Sequence, residues 1–413
     1  MSEKKEDNME LLIMTVVAGI MFSKLGSGLD IKLMGFAISS AGIVLGALDL
    51  KEKYNPFRLL FENLNLKVGD GVVPKYINKR KTPYGYCLTF SLPYGLSTND
   101  FEKHQLAIEQ YLNKRVDINY KNYRIYIRVY ENELKKVQPY QLIETSGKLE
   151  FPFGFTYGNK VVSIDLEKHI HVLIAGETGG GKSTLLRALI TSIILLKKPV
   201  VLHLIDLKNG AEFNCFRKCK QVKSFSRDIK DANNVLNKLI LEVNKRYDLF
   251  FTNDVESIGE YNKIKGKKKL DYEICIIDEF ADLQSEKDSI SSIETLTAKA
   301  RACGIHLIAS TQRPSVNIIN GTIKSNIPTV IGLKTASSIN SRIVIDENGL
   351  EKLRGFGHGM LKFNDIVEFQ GMYITTKEVR ELIKDSYIDK EEVIISERFG
   401  AIDDISFLLG SED

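Results

Sequence analysis

The run Gly176-Glu-Thr-Gly-Gly-Gly181-Lys182-Ser183 constrains this chain more than any other stretch. It fits the pattern G-x-x-x-x-G-K-S, follows directly on the apolar segment His171 to Ala175, and precedes a helix-like run from Thr184 to Leu196. Strand, glycine-rich turn and helix in that order make a phosphate-binding loop. The glycines let successive backbone N–H groups wrap an anion, and the helix N-terminus adds its dipole. The spacing therefore predicts a nucleotide cradle built from Gly176, Glu177, Thr178, Gly179, Gly180, Gly181, Lys182, Ser183 and Thr184. Lys182 is expected to reach the β- and γ-phosphates of ATP, and the Ser183 hydroxyl to ligate Mg2+. A glycine-rich turn with no ligand is the bland alternative, and the flanking strand and helix argue against it.

A cradle of this kind needs a second, acidic strand end. Tyr272 to Ile277 is apolar and ends in Asp278-Glu279, the Walker B form. Asp278 is expected to hold the magnesium shell and Glu279 to polarise the attacking water as general base. Val200 to Ile205 is another apolar run, ending at Asp206, and Ile305 to Ser310 runs into Thr311-Gln312-Arg313-Pro314. At such a strand end Gln312 is placed to sense the γ-phosphate or orient the water. Apolar strands alternating with helices predict a RecA-like P-loop ATPase, with a parallel sheet covered by helices on both faces and its ligands at the strands' carboxyl ends.

Two apolar runs open the chain, Leu11 to Phe22 and Leu33 to Leu48. With Lys24 and Lys32 snorkelling, both reach the length that spans a bilayer, so residues 1–53 read as a two-span transmembrane hairpin. A signal peptide is the alternative for the first run; Glu3, Glu6 and Asp7 suit it badly. Lys4, Lys5, Lys51, Lys53 and Arg58 put both ends in the cytoplasm, so the expected location is the cell membrane, multi-pass, with the ATPase domain in the cytoplasm. Residues 54–150 read as a small α+β domain. Tyr86 to Leu92 is a strand, and Ser97 to Leu112 a helix capped by Ser97 or Thr98. Tyr123 to Tyr130 alternates, with Tyr123, Ile125, Ile127 and Val129 on one face. Arg124, Tyr126, Arg128 and Tyr130 make the other face, either solvated, which is the simpler account, or set to stack on and neutralise nucleic acid.

Composition adds bounds rather than a function. Of 413 residues 43% are hydrophobic and 27% charged, with a net charge of +4, which permits a nucleic-acid partner without requiring one. The five cysteines, Cys87, Cys215, Cys219, Cys275 and Cys303, are sparse and read as reduced thiols. Cys215 and Cys219 lack a neighbouring histidine or second pair to complete a zinc site. Lys263, Lys265 and Lys267 to Lys269 form a basic run without aromatic interleaving, as consistent with a solvated loop as with phosphate contact.

The ordered blocks of the second half resemble one family. Ala298-Lys-Ala-Arg301-Ala-Cys303-Gly304-Ile-His306 and Ala309-Ser-Thr311-Gln312-Arg313-Pro314-Ser315 are similar to blocks of FtsK/SpoIIIE translocases. So are Asp278-Glu279-Phe280-Ala281-Asp282-Leu283, Ile323-Lys324-Ser325-Asn326-Ile327-Pro328-Thr329 and Ser341-Arg342-Ile343-Val344-Ile345-Asp346. The resemblance spans about 153–375, inside a predicted ATPase domain at 151–385, and residues 386–413 read as an acidic tail. It implies a ring, a hexamer, that hydrolyses ATP between subunits and moves duplex DNA through its central channel, with little sequence dependence. It also implies an arginine acting in trans, for which Arg342 is preferred over Arg301. Cys303 replaces the family's usual alanine, and Asp206-Leu207-Lys208 replaces Asp-Pro-Lys.

Chromosome-segregating members carry more spans, a long linker and a sequence-reading winged helix. The two-span hairpin, the segment Thr82 to Ser97 and the short tail resemble instead the TcpA-like coupling proteins of Gram-positive conjugative elements. The leading expectation is thus a conjugative coupling protein that delivers relaxase-bound DNA to a secretion channel. A chromosome or septum DNA translocase is the alternative, and a protein-exporting FtsK-type ATPase of a type VII-like system a third.

Overall fold

The computed structural model describes residues 55–284 and 286–388. The expected hairpin at 1–53 and nearly all of the tail at 386–413 lie outside the described residues. Among those described, no helix is long and apolar enough to cross a membrane. The chain divides into two compact units between Glu133 and Leu134.

The first unit holds α1 (Arg58–Asn63), β1 (Tyr76–Thr82), β2 (Gly85–Ser91), α2 (Thr98–Lys103), α3 (Gln105–Leu112), β3 (Val116–Lys121) and β4 (Arg124–Tyr130). Its strands form an antiparallel sheet in the order β1-β2-β4-β3. Strand side chains alternate between faces, and in β4 Ile125, Ile127 and Val129 are buried while Arg124 and Arg128 are exposed. Phe61, Phe101 and Ile108 bring one helix each onto the buried face, against Leu88, Phe90 and Ile125. Two sequence expectations need correction. The helix from Ser97 to Leu112 is two helices, broken at His104 (φ −104°, ψ 9°), whose N–H reaches back to Phe101 O and Glu102 O. Tyr123 does not lead the buried face of β4. It sits in the Asn122-Tyr123 turn at φ 57° and is 71% exposed.

Among the described residues, the second unit contains eleven strands: β5 (Gln138–Pro139), β6 (Glu150–Phe155), β7 (Val161–Asp165), β8 (Val172–Ala175), β9 (Val200–Asp206), β10 (Val222–Ser226), β11 (Tyr272–Asp278), β12 (Ile305–Thr311), β13 (Thr329–Leu333), β14 (His358–Lys362) and β15 (Ile366–Tyr373). Its main helices are α4 (Lys182–Leu195), α5 (Ile229–Thr252), α6 (Lys287–Lys299), α7 (Gly321–Asn326), α8 (Ser338–Ile345) and α9 (Thr376–Ile383). The sheet order is β10-β9-β11-β12-β8-β13-β14-β15-β6-β7, with β5 on β15. The boundary expected at residue 150 falls earlier, because β5 already joins this sheet and Leu149 lies in its core.

The expectation of a parallel sheet holds for β10 through β13 and fails beyond β13, so the sheet is mixed. There β14, β15, β6 and β7 run antiparallel to their neighbours. For β14 and β15 the cause is connection length: only three residues, 363–365, join them, too few for the crossover that a parallel pair requires. Burial follows. β8, β11, β12 and β13 are buried along their whole length, as parallel strands covered on both faces must be, whereas β7 alternates.

At the N-terminal end of β11 a charged network is buried beneath α5. Glu273 accepts from Arg246 Nη2 (2.8 Å) and lies 2.8 Å from His203 Nε2, with Lys223 Nζ at 3.4 Å. Arg246 also donates to Glu242 (2.8 Å) and to the Cys303 carbonyl (2.8 Å). Burial alone would raise the Glu273 carboxyl, but the hydrogen bond from His203 and the charges of Lys223 and Arg246 bring it down to about 2.

Candidate nucleotide site

The carboxyl ends of β8, β9, β11 and β12 lie side by side, with Asp206 paired to Asp278 and Ala175 to Thr311. From β8 the chain enters the glycine loop and then α4. Gly181 stands at φ 101°, where an L side chain is strained, and a Cβ there would come within 2.1 Å of the Gly357 nitrogen. That closeness reflects a backbone clasp: Phe356 N donates to Gly179 O (3.2 Å) and Gly357 N to Gly180 O (2.8 Å). Glu177 closes the other side, its N–H on Lys334 O (2.9 Å) and its carboxylate accepting from Ala336 N. The loop is thus held on both sides by protein contacts. Gly181→Ala is expected to cost about 1–3 kcal/mol in backbone strain and to weaken ATP binding more than tenfold. Isothermal titration beside a thermal melt separates the two; unchanged affinity would show that the clasp does not shape the cradle.

Lys182, only 3% exposed, is folded back onto the acidic strand end. Its Nζ is ion-paired with Asp278 Oδ1 and donates to Ser310 Oγ (3.2 Å), while Ser310 Oγ donates to Asp278 Oδ1 (3.0 Å). Lys208 Nζ holds the other oxygen, Asp278 Oδ2, at 3.0 Å. Burial would raise the Asp278 carboxyl, but the ammonium groups of Lys182 and Lys208 outweigh it and hold Asp278 below the ordinary carboxylate value. Asp206 differs: burial raises its carboxyl, and it serves as a loop anchor, accepting from Glu212 N (2.8 Å) and Phe213 N (2.9 Å).

Glu279 sits at φ 60°, a left-handed conformation that costs a non-glycine residue energy and concentrates at functional positions. Its carboxylate is fixed by Thr311 Oγ1 (3.0 Å) and by the backbone N–H of Gln312 (3.2 Å). The Gln312 side chain accepts from Thr178 Oγ1 (3.2 Å), which ties the end of β12 to the loop. The cradle residues, Asp278, Glu279 and Gln312 are therefore brought together. Arg342 is not: it is exposed on α8, its Nε 3.4 Å from Ser338 O, beside an open groove of about 470 Å3 that Val316 and Ile339 also line. Arg301 is likewise exposed.

The donors suit the ligands the sequence implies. The first turn of α4 has no side-chain cap, which leaves its N–H groups for an anion. Ser183 and Asp278 offer the hard oxygens that Mg2+ selects, and Asp278 already attracts two cations. Four contributors escaped the sequence reading: Lys208, Ser310, Thr311 and the Phe356-Gly357 clasp. Thr311 was within reach, since it precedes Gln312 on the same strand end. The clasp was not, because it links Gly179 to Phe356 and Gly180 to Gly357, far apart along the chain, and uses backbone atoms. His306, inside a family-like block, has no part in the site. Its Nδ1 lies 2.9 Å from Ile170 O, and burial takes it down to about 4, so it is a neutral core residue.

A glycine loop opening a helix, an acidic pair on the second strand over, and a sheet edge that gathers them define a P-loop ATPase. Residues 133–316 match the FtsK/SpoIIIE family, and the chain carries a domain of that family. DNA translocase SftA of Bacillus subtilis (strain 168) is 39% identical over 238 residues, covering 55% of this chain and 25% of the relative. DNA translocase FtsK of Oceanobacillus iheyensis is 34% identical over 286 residues, covering 63% of this chain and 36% of the relative. The chain thus spans between a quarter and about a third of the length of these relatives. Among solved structures, the monomer form of the pCW3 conjugation coupling protein TcpA with ATPγS superposes with a TM-score of 0.57 at 26% identity, covering 79% of this chain and 98% of that one.

Proposed function

We propose that the chain hydrolyses ATP and uses the energy to move DNA. The observation that supports it most is the convergence of Lys182, Asp278 and Glu279 on one sheet edge, in a domain whose relatives are named DNA translocases. Lys182 leaves Asp278 and Ser310 to meet the β- and γ-phosphates. Ser183 and Asp278 would hold Mg2+, whose charge would offset that of the phosphates. Glu279, aimed by Thr311 and the Gln312 N–H, accepts the proton of the attacking water. Gln312, through Thr178, relays the state of the loop. Arg342, exposed and away from its own cradle, serves the cradle of a neighbouring copy in a ring, which we take to be a hexamer. The membrane hairpin at 1–53 fixes that ring to the cytoplasmic face.

Two DNA readings remain distinct. The names of the sequence relatives favour the chromosome or septum translocase over the coupling protein that the sequence features led with. The coupling role, with a relaxase and a secretion channel as partners, has one observation in its favour: the 79% of the chain matched by TcpA exceeds what residues 134–413 amount to, so the likeness reaches into the first unit.

The full chain, purified in detergent, tests the common core. Duplex or single-stranded DNA should raise its ATP hydrolysis several-fold, and Lys182→Ala should abolish both basal and stimulated rates. No stimulation by either form of DNA sinks the translocase reading and favours protein export. A gene deletion then separates the two DNA roles: a chromosome-partition or division defect supports the first, loss of element transfer with normal division the second.

A further inference from the structure

Among the described residues, the sheet of the first unit has one face packed with helices and one without, and the second face is cationic. Across the strands Arg80 pairs with Cys87 and Cys87 with Arg128, making one row. Four residues on along each strand, Ser91 pairs with Arg124 and Arg124 with Lys121, making another. Between them runs the row that carries Tyr126. Strand alternation puts all of these on the face opposite Phe61, Phe101 and Ile108, and Arg80, Lys121, Arg124 and Arg128 are exposed. Asp117, the acid in the first row, already accepts from the Tyr130 hydroxyl.

We propose that this face binds single-stranded DNA, its phosphates lying on the two cationic rows and an unpaired base stacking on Tyr126. Two charge rows flanking one ring match a polyanion that carries a flat base between phosphates. A duplex would satisfy the arginines and leave the ring idle. A membrane surface fits worse, because the three rows contain no aliphatic side chain to insert below the headgroups. The site lies outside the family match at 133–316 and does not depend on the nucleotide site.

The test measures binding of a labelled oligothymidylate to the full chain by fluorescence anisotropy across a salt series. Arg124→Glu with Arg128→Glu should weaken binding at least tenfold and flatten the slope of log K against log salt by about 1.4, since each single-strand phosphate contact contributes about 0.7. Should charge reversal impair folding, Arg124→Gln carries the same test with a slope change of about 0.7. Tyr126→Ala should cost roughly tenfold on the single strand and leave duplex binding within twofold, with Tyr126→Phe close to wild type. Basal ATP hydrolysis without DNA should be unchanged in every variant, and DNA stimulation of that rate is scored separately, so this site fails or stands apart from the translocase reading. Unchanged affinity and slope in the arginine variants overturns the proposal. So does an equal loss on duplex and single strand from Tyr126→Ala, or a loss confined to phosphatidylserine vesicles.

Discussion

Glu279→Gln is expected to lower the rate of ATP hydrolysis by about 10²–10⁴-fold, the usual worth of a positioned general base, while ATP binding stays within a few-fold of wild type. Glu279 is only 4% exposed and its carboxylate is fixed by Thr311 Oγ1 and the Gln312 N–H, so the protein itself holds it in one orientation. An amide has nearly the same shape and leaves the fold intact, but it cannot take up a proton. Single-turnover hydrolysis beside equilibrium binding of labelled ATP reads the two effects apart. A variant that hydrolyses ATP at the wild-type rate would remove Glu279 from the chemistry. Weak binding with normal turnover would recast it as part of the cradle.

The second large effect concerns stability and arises at the other end of the same strand. Glu273→Ala leaves buried Arg246 with only Glu242 of its two carboxylates, and Arg246→Ala leaves buried Glu273 with only His203 and Lys223, a loss on the order of 3–5 kcal/mol. For a unit of this size that lowers the melting temperature by roughly 6–20 °C. The pH dependence carries a definite sign. The Glu273 carboxyl is held at about 2 in the fold, below its ordinary 4.5. A depressed carboxylate stabilises fully above its unfolded value and loses that contribution as pH falls toward the folded one. The melting difference between wild type and Glu273→Gln should therefore be largest above pH 4.5 and shrink as pH falls toward about 2. A difference that is flat across that range would mean the network contributes packing rather than charge.

Local signals carried much of the site. The glycine spacing fixed the loop, because phosphate binding by backbone N–H groups tolerates few sequences, and Asp278-Glu279 at the end of a wholly apolar run left little choice for the acidic strand end. Gln312 was legible for the same reason. What escaped depends on distance along the chain. Lys208 reads as an ordinary loop lysine until β9 and β11 are paired in register, which sets Asp206 beside Asp278. The antiparallel half of the sheet was missed because strand composition says nothing about direction; for β14 and β15 the three-residue connection does. His104 has no proline or glycine beside it to mark the break it makes between α2 and α3.

The backbone of Glu279 points to a conflict that selection must manage. At φ 60° a glycine would sit at ease, whereas a glutamate is held there only by the surrounding structure. Glycine at this position would relieve the strain and remove the working carboxylate with it. A screen that rewarded heat resistance alone would drift toward that exchange and harvest sturdier but inert proteins, the trade between rigidity and activity that strained working residues impose.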